Sequence, residues 1–406
     1  MPFRIALSGL NAAQTDLAVT GNNIANSGTA GFKKARTEFT DVYAVAFEGI
    51  SSIATGNGVA VSAVSQNFSQ GNIDFTEKNL DIAVSGQGFF VLKDDTGQAY
   101  TRAGAFHVDR NGFVVNQGGQ KLQIFPSKSG EIKTGELSDL RLSTSDGPPN
   151  ATTTITAALN LSSAEVAPPT TTFDPADPTS FNNSTSTVIY DSLGTAHAAT
   201  LYYVKDGVTQ NLWNTYLYVD GAEVSAGAVS PVPMTFNQDG TINTPQNLAY
   251  NAVPSGTGAQ DIQLTLDYSS STQFGSPFAV NGLSQDGFAP GRLSGIDIDD
   301  EGIVFARYTN GQSSPLGKIA LANFPNVSGL RQLGETNWAQ TFDSGDLLLG
   351  EAGTSSFGLI QSGGLESSNV DIAESLVSLI TAQRNFQANA QVISAADTIT
   401  QTIINI

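Results

Sequence analysis

The sequence contains no cysteine, and this absence excludes several kinds of chemistry together. Without thiols the chain has no disulfides, no cysteine-ligated zinc and no cysteine nucleophile. It has only two histidines, His107 and His197, and neither has a second histidine one helical turn away. A metal site usually needs several such ligands brought together, so the sequence predicts no metal ion and no other cofactor.

Charge is also scarce, and what there is has mostly one sign. Charged residues make up 14% of the chain, the formal net charge is −19, and Lys205 is the only basic residue between Arg141 and Arg292. Nucleic-acid binding needs clustered Lys and Arg, so the composition predicts no nucleic-acid partner. A polar surface with few charges is instead compatible with close packing of subunits.

Long apolar runs are missing as well. No stretch approaches the 18 apolar residues that a membrane helix needs. The first residues do not read as a cleaved secretory signal, because Asn11, Gln14 and Asp16 interrupt the apolar stretch and Arg4 is its only early positive charge. If the protein leaves the cell, we expect a route that does not cleave such a peptide.

Motifs of enzymes are weak throughout the chain. The acidic run from Asp297 to Glu301 resembles a calcium loop, but its twelfth position is Tyr308, where a bidentate Glu is required. No G-x-S-x-G sequence is present, and no small-molecule substrate is expected. Paired carboxylates for glycoside hydrolysis stay open, because sequence does not give spatial separation. The prediction is a protein that is not an enzyme.

What the chain does have is a seven-residue apolar repeat at each end. Near the N-terminus Ala6 and Ala13 fill intervening positions of the repeat, and near the C-terminus Asp371 and Glu374 fit a helix start. Such stripes are wide enough to face one partner helix, and one interpretation is that they are ordinary core helices of a single domain. The interpretation we prefer is that the two ends pair as a coiled coil and leave apolar surface for neighbouring subunits. The candidate subunit-interface residues are Phe3, Leu10, Leu17, Ile24, Ile372, Leu379, Phe386 and Ile393.

Between the ends the sequence predicts strands and tight turns. Residues 262–268 alternate apolar and polar side chains, which is typical of a half-buried strand. One short pattern occurs three times, at Asp109, Asn237 and Asp299. In each copy an Asp or Asn is followed three residues later by Gly, and apolar residues typical of strands lie on both sides. Each copy predicts a hairpin in which Gly adopts positive φ. Proline and glycine clusters near 147–149 and 287–291 indicate domain boundaries.

These signals predict a mainly β fold with α-helical termini. The N- and C-terminal helices pair as a coiled coil, and two β-rich domains follow in series, the outer one inserted into the inner one. We expect a terminal helical domain at 1–28 and 370–406, a connecting region at 29–71 and 358–369, an inner β domain at 72–144 and 285–357, and an outer inserted β domain at 145–284.

Several segments resemble one known family. Residues 21–36 read GNNIANSGTAGFKKAR, which is similar to the N-terminal signature of flagellar rod and hook proteins. The same family is resembled by LDIAVSGQGFFVL at 80–92, YTRAGAFHVDRNGFVVNQGG at 100–119, FGLIQSGGLESSNVD at 357–371 and AQRNFQANAQV at 382–392. The resemblance covers roughly the first 125 and last 120 residues. In the middle, YDSLGTAH at 190–197 resembles the outer domain of the hook members.

The resemblance implies a structural subunit of the bacterial flagellar hook, which self-assembles into a flexible curved tube that transmits torque from rod to filament. It implies an extracellular location reached through the type III export apparatus. The partners it implies are other copies of the chain, rod and hook–filament junction proteins, and a hook cap scaffold. Alternatives are a distal rod subunit, whose known members are shorter, or a secreted non-flagellar β-rich adhesin or carbohydrate-active protein.

Overall fold

The computed structural model describes residues 2–42, 56–95, 97–128, 131–143, 146–256, 258–354 and 356–404, with the side chains of all but 2, 403 and 404. Within these residues one long helix lies near each end, α1 (Pro2–Ala25) and α2 (Ile372–Ile404). Strands and a short 3₁₀ helix (Val327–Gly329) form the body between them. The predicted mainly β fold with helical ends is confirmed.

The strands are numbered in chain order. The first eleven are β1 (Ala35–Asp41), β2 (Val59–Gln66), β3 (Ile73–Phe75), β4 (Ile82–Ser85), β5 (Phe89–Asp94), β6 (Gly97–Thr101), β7 (His107–Val108), β8 (Val114–Val115), β9 (Lys121–Lys128), β10 (Glu131–Ile132) and β11 (Ser138–Asp139). The next ten are β12 (Thr154–Asn160), β13 (Asn183–Tyr190), β14 (Ala196–Lys205), β15 (Leu212–Val219), β16 (Ala222–Val224), β17 (Val232–Phe236), β18 (Ile242–Thr244), β19 (Asn247–Ala249), β20 (Thr265–Asp267) and β21 (Ala279–Gln285). The last eight are β22 (Leu293–Ile298), β23 (Ile303–Tyr308), β24 (Ser313–Asn323), β25 (Arg331–Gly334), β26 (Asn337–Ala339), β27 (Leu348–Glu351), β28 (Leu359–Ser362) and β29 (Gly364–Glu366).

The chain packs as two compact units. The first consists of Met1–Ser143, Gly295–Arg307 and Ser313–Ile406, and the second of Thr144–Ser294 with Tyr308–Gln312. The predicted division into four regions, with an outer domain at 145–284 inserted into an inner one, is finer than this and stays a prediction.

The first unit is organised by one large sheet. Its strands run in the order β22-β23-β24-β9-β5-β6-β26-β25, with β7, β8, β10, β11 and β27 joined to them. Aromatic side chains fill the space against this sheet: Phe89 and Trp338 meet edge to face with ring centroids 5.8 Å apart, and Tyr100 and Phe324 at 4.8 Å. All four are nearly fully buried, so the sheet has a rigid core of its own.

Small strand pairs in the same unit bring the two ends of the chain together. β1 and β2 form an antiparallel hairpin after α1. β29 pairs with β3, and β28 pairs with β4. Because β28 and β29 come shortly before α2, these pairs place the start of α2 near the segment that follows α1.

The second unit is built from two sheets that share one core. One sheet has the order β19-β20-β12-β21, and the other has the order β13-β14-β15-β17-β18 with β16 on β15. Burial alternates along β14 and β15, which is the period-two pattern of strands covered on one face. Ile155 and Leu266 from the first sheet join Leu201, Trp213 and Met234 from the second in a single buried cluster.

The three predicted hairpin turns are confirmed. Gly112, Gly240 and Gly302 have φ of 85°, 84° and 80°. Their backbone N–H groups donate to the carbonyl oxygens of Asp109, Asn237 and Asp299 at 3.1, 3.0 and 2.9 Å. A residue with a Cβ is strained in this backbone region, so the repeated glycine has a direct physical cause.

Candidate assembly site

The terminal helices α1 and α2 pack against each other in antiparallel fashion. Gly9 in α1 lies so close to α2 that a Cβ atom at this position would be 2.6 Å from Oδ1 of Asn389. At the opposite end, Nζ of Lys34, just after α1, lies 3.1 Å from Oε2 of Glu374 in the first turn of α2. The early part of α1 therefore meets the middle of α2, and the end of α1 meets the start of α2. The predicted pairing of the helices is confirmed.

Positions withdrawn from solvent on the two helices alternate between small and large side chains. On α1 these positions include Ala6, Leu10, Ala13, Leu17, Thr20 and Ile24. On α2 they include Ser375, Leu379, Ala382, Phe386, Asn389, Ile393 and Ala396. The spacing alternates between four and three residues, which is the heptad spacing of a coiled coil. Small side chains at every second position let the helix backbones approach closely.

The structure does not treat the eight predicted residues alike. Leu10, Leu17, Ile24, Leu379, Phe386 and Ile393 are half-buried on the paired helices. Phe3 and Ile372 keep 51% and 52% of their surface exposed. Sequence reasoning missed Ser375, Ala382 and Asn389, because it searched for apolar stripes; the four-three spacing was the available signal.

The N-terminal helix is also fixed to the β1–β2 hairpin. The side-chain amide of Asn23 donates to the carbonyl oxygen of Ala35 at 2.7 Å, and the backbone N–H of Ala35 donates back to Oδ1 of Asn23 at 2.9 Å. Nearer the start of the helix, the backbone N–H of Val59 donates to Oγ of Ser8 at 3.2 Å. α1 is thus held between α2 and the hairpin, whereas α2 has a larger free surface.

A buried cluster of three charged side chains lies where the segment after α1 meets the strand that precedes α2. Nζ of Lys33 is 2.6 Å from Oε1 of Glu366, and Nη1 of Arg102 is 3.3 Å from Oε2 of the same carboxylate. Lys33 also donates to the carbonyl oxygen of Ser69 at 2.9 Å, and the backbone N–H of Gly71 donates to Oε1 of Glu366 at 2.9 Å. The side chains of Lys33 and Glu366 have no solvent exposure, and that of Arg102 has 6%.

Burial dominates the electrostatics of this cluster. It lowers the pKa of Lys33 and the pKa of Arg102, because a charged group loses hydration there, while the Glu366 carboxylate partly offsets the effect. Two cations, Lys33 and Arg102, therefore share one buried carboxylate. Sequence reasoning assigned no role to Lys33, Glu366 or Arg102.

The junction from the β strands into α2 is a second polar anchor. Oδ1 of Asp371 accepts a hydrogen bond from the backbone N–H of Glu374 at 3.1 Å, so the predicted N-cap is confirmed. Just before it, Asn369 accepts from the backbone N–H of Lys34 at 2.7 Å and donates to the carbonyl oxygen of Asn67 at 2.8 Å. The start of α2 is therefore tied to the segments on both sides of the β1–β2 hairpin.

The outward side of α2 carries apolar side chains with no cover. Leu376, Val377 and Ile380 lie opposite the pairing seam and are 45%, 64% and 48% exposed. Val392 and Ile399 continue along the helix, 46% and 61% exposed. We call these five residues the α2 apolar face. Exposed apolar side chains spread over the outward half of a long helix are typical of a surface that other helices cover.

Clustered metal ligands and membrane-spanning helices are both absent from the part of the chain that the structure describes. No group of three or more His, Cys, Asp or Glu side chains there is arranged to hold a metal ion. No helix among the same residues is long and apolar enough to cross a membrane. His107 is exposed on β7.

His197 proves to have partners that the sequence did not indicate. Its Nδ1 lies 2.6 Å from Oδ2 of Asp220, and its Nε2 lies 3.5 Å from Oδ2 of Asp191. Burial opposes the charged ring, but the hydrogen bonds to Asp220 and Asp191 outweigh it and raise the pKa of His197. The three residues close the turns at one end of β14, and the arrangement stabilises the hairpins.

Four family models match separate parts of the chain. "Flagella basal body rod protein" matches residues 3–33, and "Flagellar hook protein FlgE/F/G D1 domain" matches 83–162. "Flagellar basal body protein FlaE D2 domain" matches 160–288, and "Flagellar basal body rod FlgEFG protein C-terminal" matches 361–406. The first and last of these include α1 and the described part of α2.

Curated relatives match from end to end. Flagellar hook protein FlgE of Escherichia coli (strain K12) is 37% identical over 416 residues, covering 100% of both chains. The proteins of the same name from Rhizobium meliloti (strain 1021) and Borreliella burgdorferi are 35% and 34% identical, covering 100% and 98% of this chain.

Among solved structures, the crystal structure of Helicobacter pylori flagellar hook protein FlgE2 matches with a TM-score of 0.53. It covers 72% of this chain and 100% of that chain at 15% identity, so this likeness concerns the fold alone. The full-length relatives at more than 30% identity decide the assignment: the chain belongs to the flagellar hook protein family.

Proposed function

We propose that this chain is the structural subunit of a bacterial flagellar hook, and that it polymerises into a flexible curved tube that transmits torque from rod to filament. The α2 apolar face is the observation that carries the proposal. Each copy presents about five large apolar side chains on one helix, and burying a Leu or Ile fully is worth about 1.5–3 kcal/mol. Repeated copies of α2 packed side by side would cover this face.

In the proposed mechanism the terminal helices and the β-rich parts of the chain have different roles. The paired helices form the inner wall of the tube, where apolar contacts between copies hold the subunits. The β-rich units form the outer layers. The segment between Arg141 and Arg292, with Lys205 as its only basic residue, offers few strong ion pairs to lock one contact register. Outer contacts of this kind can slide while the tube bends.

The role is structural rather than catalytic. It includes an extracellular location, export by the type III apparatus without a cleaved signal peptide, and contacts with rod proteins, hook–filament junction proteins and a hook cap scaffold. The name of the relatives, flagellar hook protein, supports the placement in a hook, and the export route and partners are proposed as consequences of that placement.

The α2 apolar face gives the test. We expect the double variant L376Q/I380Q to remain folded as a monomer, because both side chains are about half exposed and Gln keeps the helix propensity. Its polymerisation should fail at concentrations where the unaltered protein forms tubes. Gln391→Ala, an exposed polar position on the same helix, is the matched control and should polymerise normally.

Electron microscopy of the purified polymer separates the alternatives. Curved tubes from the unaltered protein support a hook, whereas straight, stiff cylinders would indicate a rod subunit. A full-length protein that remained monomeric at high concentration would favour a secreted adhesin or carbohydrate-active protein. Normal tubes from L376Q/I380Q would remove the α2 apolar face from the assembly.

A further inference from the structure

Phe342 is the most exposed large apolar side chain in the described part of the chain. It keeps 99% of its surface in contact with solvent, in the connection between β26 and β27 of the first unit. A phenylalanine that was merely tolerated on a surface would normally lie flat against neighbouring atoms. This one gains nothing from the fold of its own chain.

The turn that presents Phe342 is nevertheless fixed. Ser344 is completely buried, and its Oγ donates to the carbonyl oxygen of Thr341 at 2.8 Å, while the backbone N–H of Thr341 donates to the same Oγ at 3.0 Å. The hydroxyl of Thr341 donates to the carbonyl oxygen of Gly329 at 2.6 Å, and the amide of Asn326 donates to that of Asp343 at 2.9 Å. The backbone on both sides of Phe342 is thus held by hydrogen bonds.

A rigid turn with a fully exposed aromatic ring has the properties of an interface anchor. Binding costs conformational entropy when loops must become ordered, and a preorganised turn avoids much of that cost. Aromatic side chains that enter a desolvated pocket dominate many interfaces. Phe342 therefore suits insertion into a cavity of another molecule.

The same unit contains a cavity of suitable chemistry. It is an open depression with a volume of about 390 Å³, and the residues that line it include Leu80, Phe106, Val108 and Ile296 together with Lys78. The side-chain amide of Asn79 donates to the carbonyl oxygen of Ile296 at 2.7 Å, which joins two of the contributing segments. We call this the Phe106 cavity.

Charge favours the Phe106 cavity over two other openings in the same unit. Phe342 is followed by the exposed carboxylates of Asp343 and Asp346. The cavity beside Phe357 includes Glu351, and the one beside Phe32 includes Glu335, so each would place carboxylates together. At the Phe106 cavity the incoming Asp343 would meet the exposed Lys78 instead.

We propose that Phe342 of one copy inserts into the Phe106 cavity of a second copy, with Asp343 beside Lys78. The 99% exposure of Phe342 means that it does not occupy the cavity of its own chain. The ring and the cavity are different patches on the same unit, so the contact joins unlike surfaces and repeats from copy to copy. Such contacts generate rings or helical polymers, and the inference rests on the polymer proposed above.

Site-specific crosslinking in the assembled polymer tests the contact. Phe342 is replaced by the photoreactive p-benzoylphenylalanine in the full chain, and the polymer, mixed from isotopically light and heavy copies, is irradiated. We expect mixed light–heavy crosslinks that map to residues 78–80, 106–108 or 296. The same probe at Val208, which is 94% exposed in the second unit, is the control and should not reach that cavity.

Tubes that crosslink elsewhere, or that give no crosslink at position 342, would overturn this contact and leave the proposed function standing. Absence of tubes from the unaltered protein would instead overturn the proposed function.

Charge reversal gives a second readout that does not need the probe. We expect Asp343→Lys and Lys78→Asp each to raise the concentration needed for polymerisation by about tenfold. The double variant D343K/K78D should restore it. Phe342→Ala should raise it by tenfold or more, with unchanged unfolding of the monomer. Single charge variants that polymerise normally, or a double variant as impaired as the singles, would overturn the pairing.

Discussion

Nζ of Lys33 lies 2.6 Å from Oε1 of Glu366, and the two residues are 333 positions apart in the chain. Both side chains are fully buried, and Arg102 shares the same carboxylate. The contact joins the segment after α1, the strand before α2 and the sheet of the first unit. The Glu366 carboxylate therefore connects the end of the α1 segment with the start of the α2 segment.

Glu366→Gln should destabilise the first unit strongly. The substitution leaves Lys33 and Arg102 buried without a counter-charge, and breaking a buried ion pair in this way costs about 3–5 kcal/mol. Urea unfolding of the full-length monomer measures the loss. Glu374→Gln is the matched control, because its pair with Lys34 is largely exposed and is worth about 0–1 kcal/mol. Equal small losses from both variants would mean that the buried cluster does not stabilise the junction.

Leu17→Ala and Leu379→Ala should weaken the packing of α1 against α2, while the β-sheets of both units stay folded. Both side chains are half-buried, so we expect about 1–2 kcal/mol each, below the 2–5 kcal/mol typical of full burial. Circular dichroism should report lost helix, and polymerisation should be impaired. Fluorescence of Trp213 and Trp338, which are buried in the two β-rich units, should not change.

Ile380→Ala is the comparison for the Leu variants, since Ile380 is 48% exposed next to Leu379. It should leave the helix content of the monomer almost unchanged and still weaken polymerisation. Helix loss as large as that of Leu379→Ala would place Ile380 in the pairing seam rather than on the α2 apolar face.

Removal of residues 148–290 should spare the first unit. The backbone N–H of Gly147 donates to the carbonyl oxygen of Gly291 at 2.7 Å, so a short glycine linker can join the two ends without moving them. We expect the shortened chain to fold and polymerise into tubes whose curvature or bending is altered, as electron microscopy would show. If the shortened chain failed to fold, or formed tubes of unchanged curvature and stiffness, the proposed division of labour would be wrong.

The second unit should lose stability as pH rises through the raised folded-state pKa of His197. The folded-state pKa of His197 is raised above its unfolded value of about 6.5. Its contribution is therefore fully present below about pH 6.5 and is lost as pH rises through the folded pKa. Thermal melts from about pH 6 to about pH 9 should fall less for His197→Gln than for the unaltered protein. His107→Gln, at an exposed position, is the control; equal slopes in all three proteins would contradict the assignment.

Features that depend on nearby residues could be predicted from the sequence. The three hairpins follow from Asp109, Asn237 and Asp299, each with a glycine three positions later, because a tight turn is decided within a few residues. The heptad repeats likewise predicted α1 and α2. The burial of residues 262–268 alternates as expected, but the regular strand β20 covers only Thr265–Asp267, so the predicted strand was too long.

Features that depend on distant residues could not be predicted in this way. Nothing local to Glu366 indicates Lys33 and Arg102 as partners, since only the folded sheets bring them together. The same holds for His197, whose partner Asp220 lies on the next turn of the sheet. Local sequence patterns therefore predict helices, strands and their buried faces. The polar contacts between residues distant in sequence are known only from the structure.

The antiparallel pairing of α1 with α2 has a consequence for the order in which the molecule matures. The ribosome makes α1 first and its partner helix last, so α1 remains without that partner during nearly all of translation. Contacts between positions this far apart close the longest loop in the chain, and such loops form late and slowly. The apolar seam residues of α1 and α2 therefore lack each other's cover until nearly the whole chain has been made, and pairing of the two helices is a late step in folding.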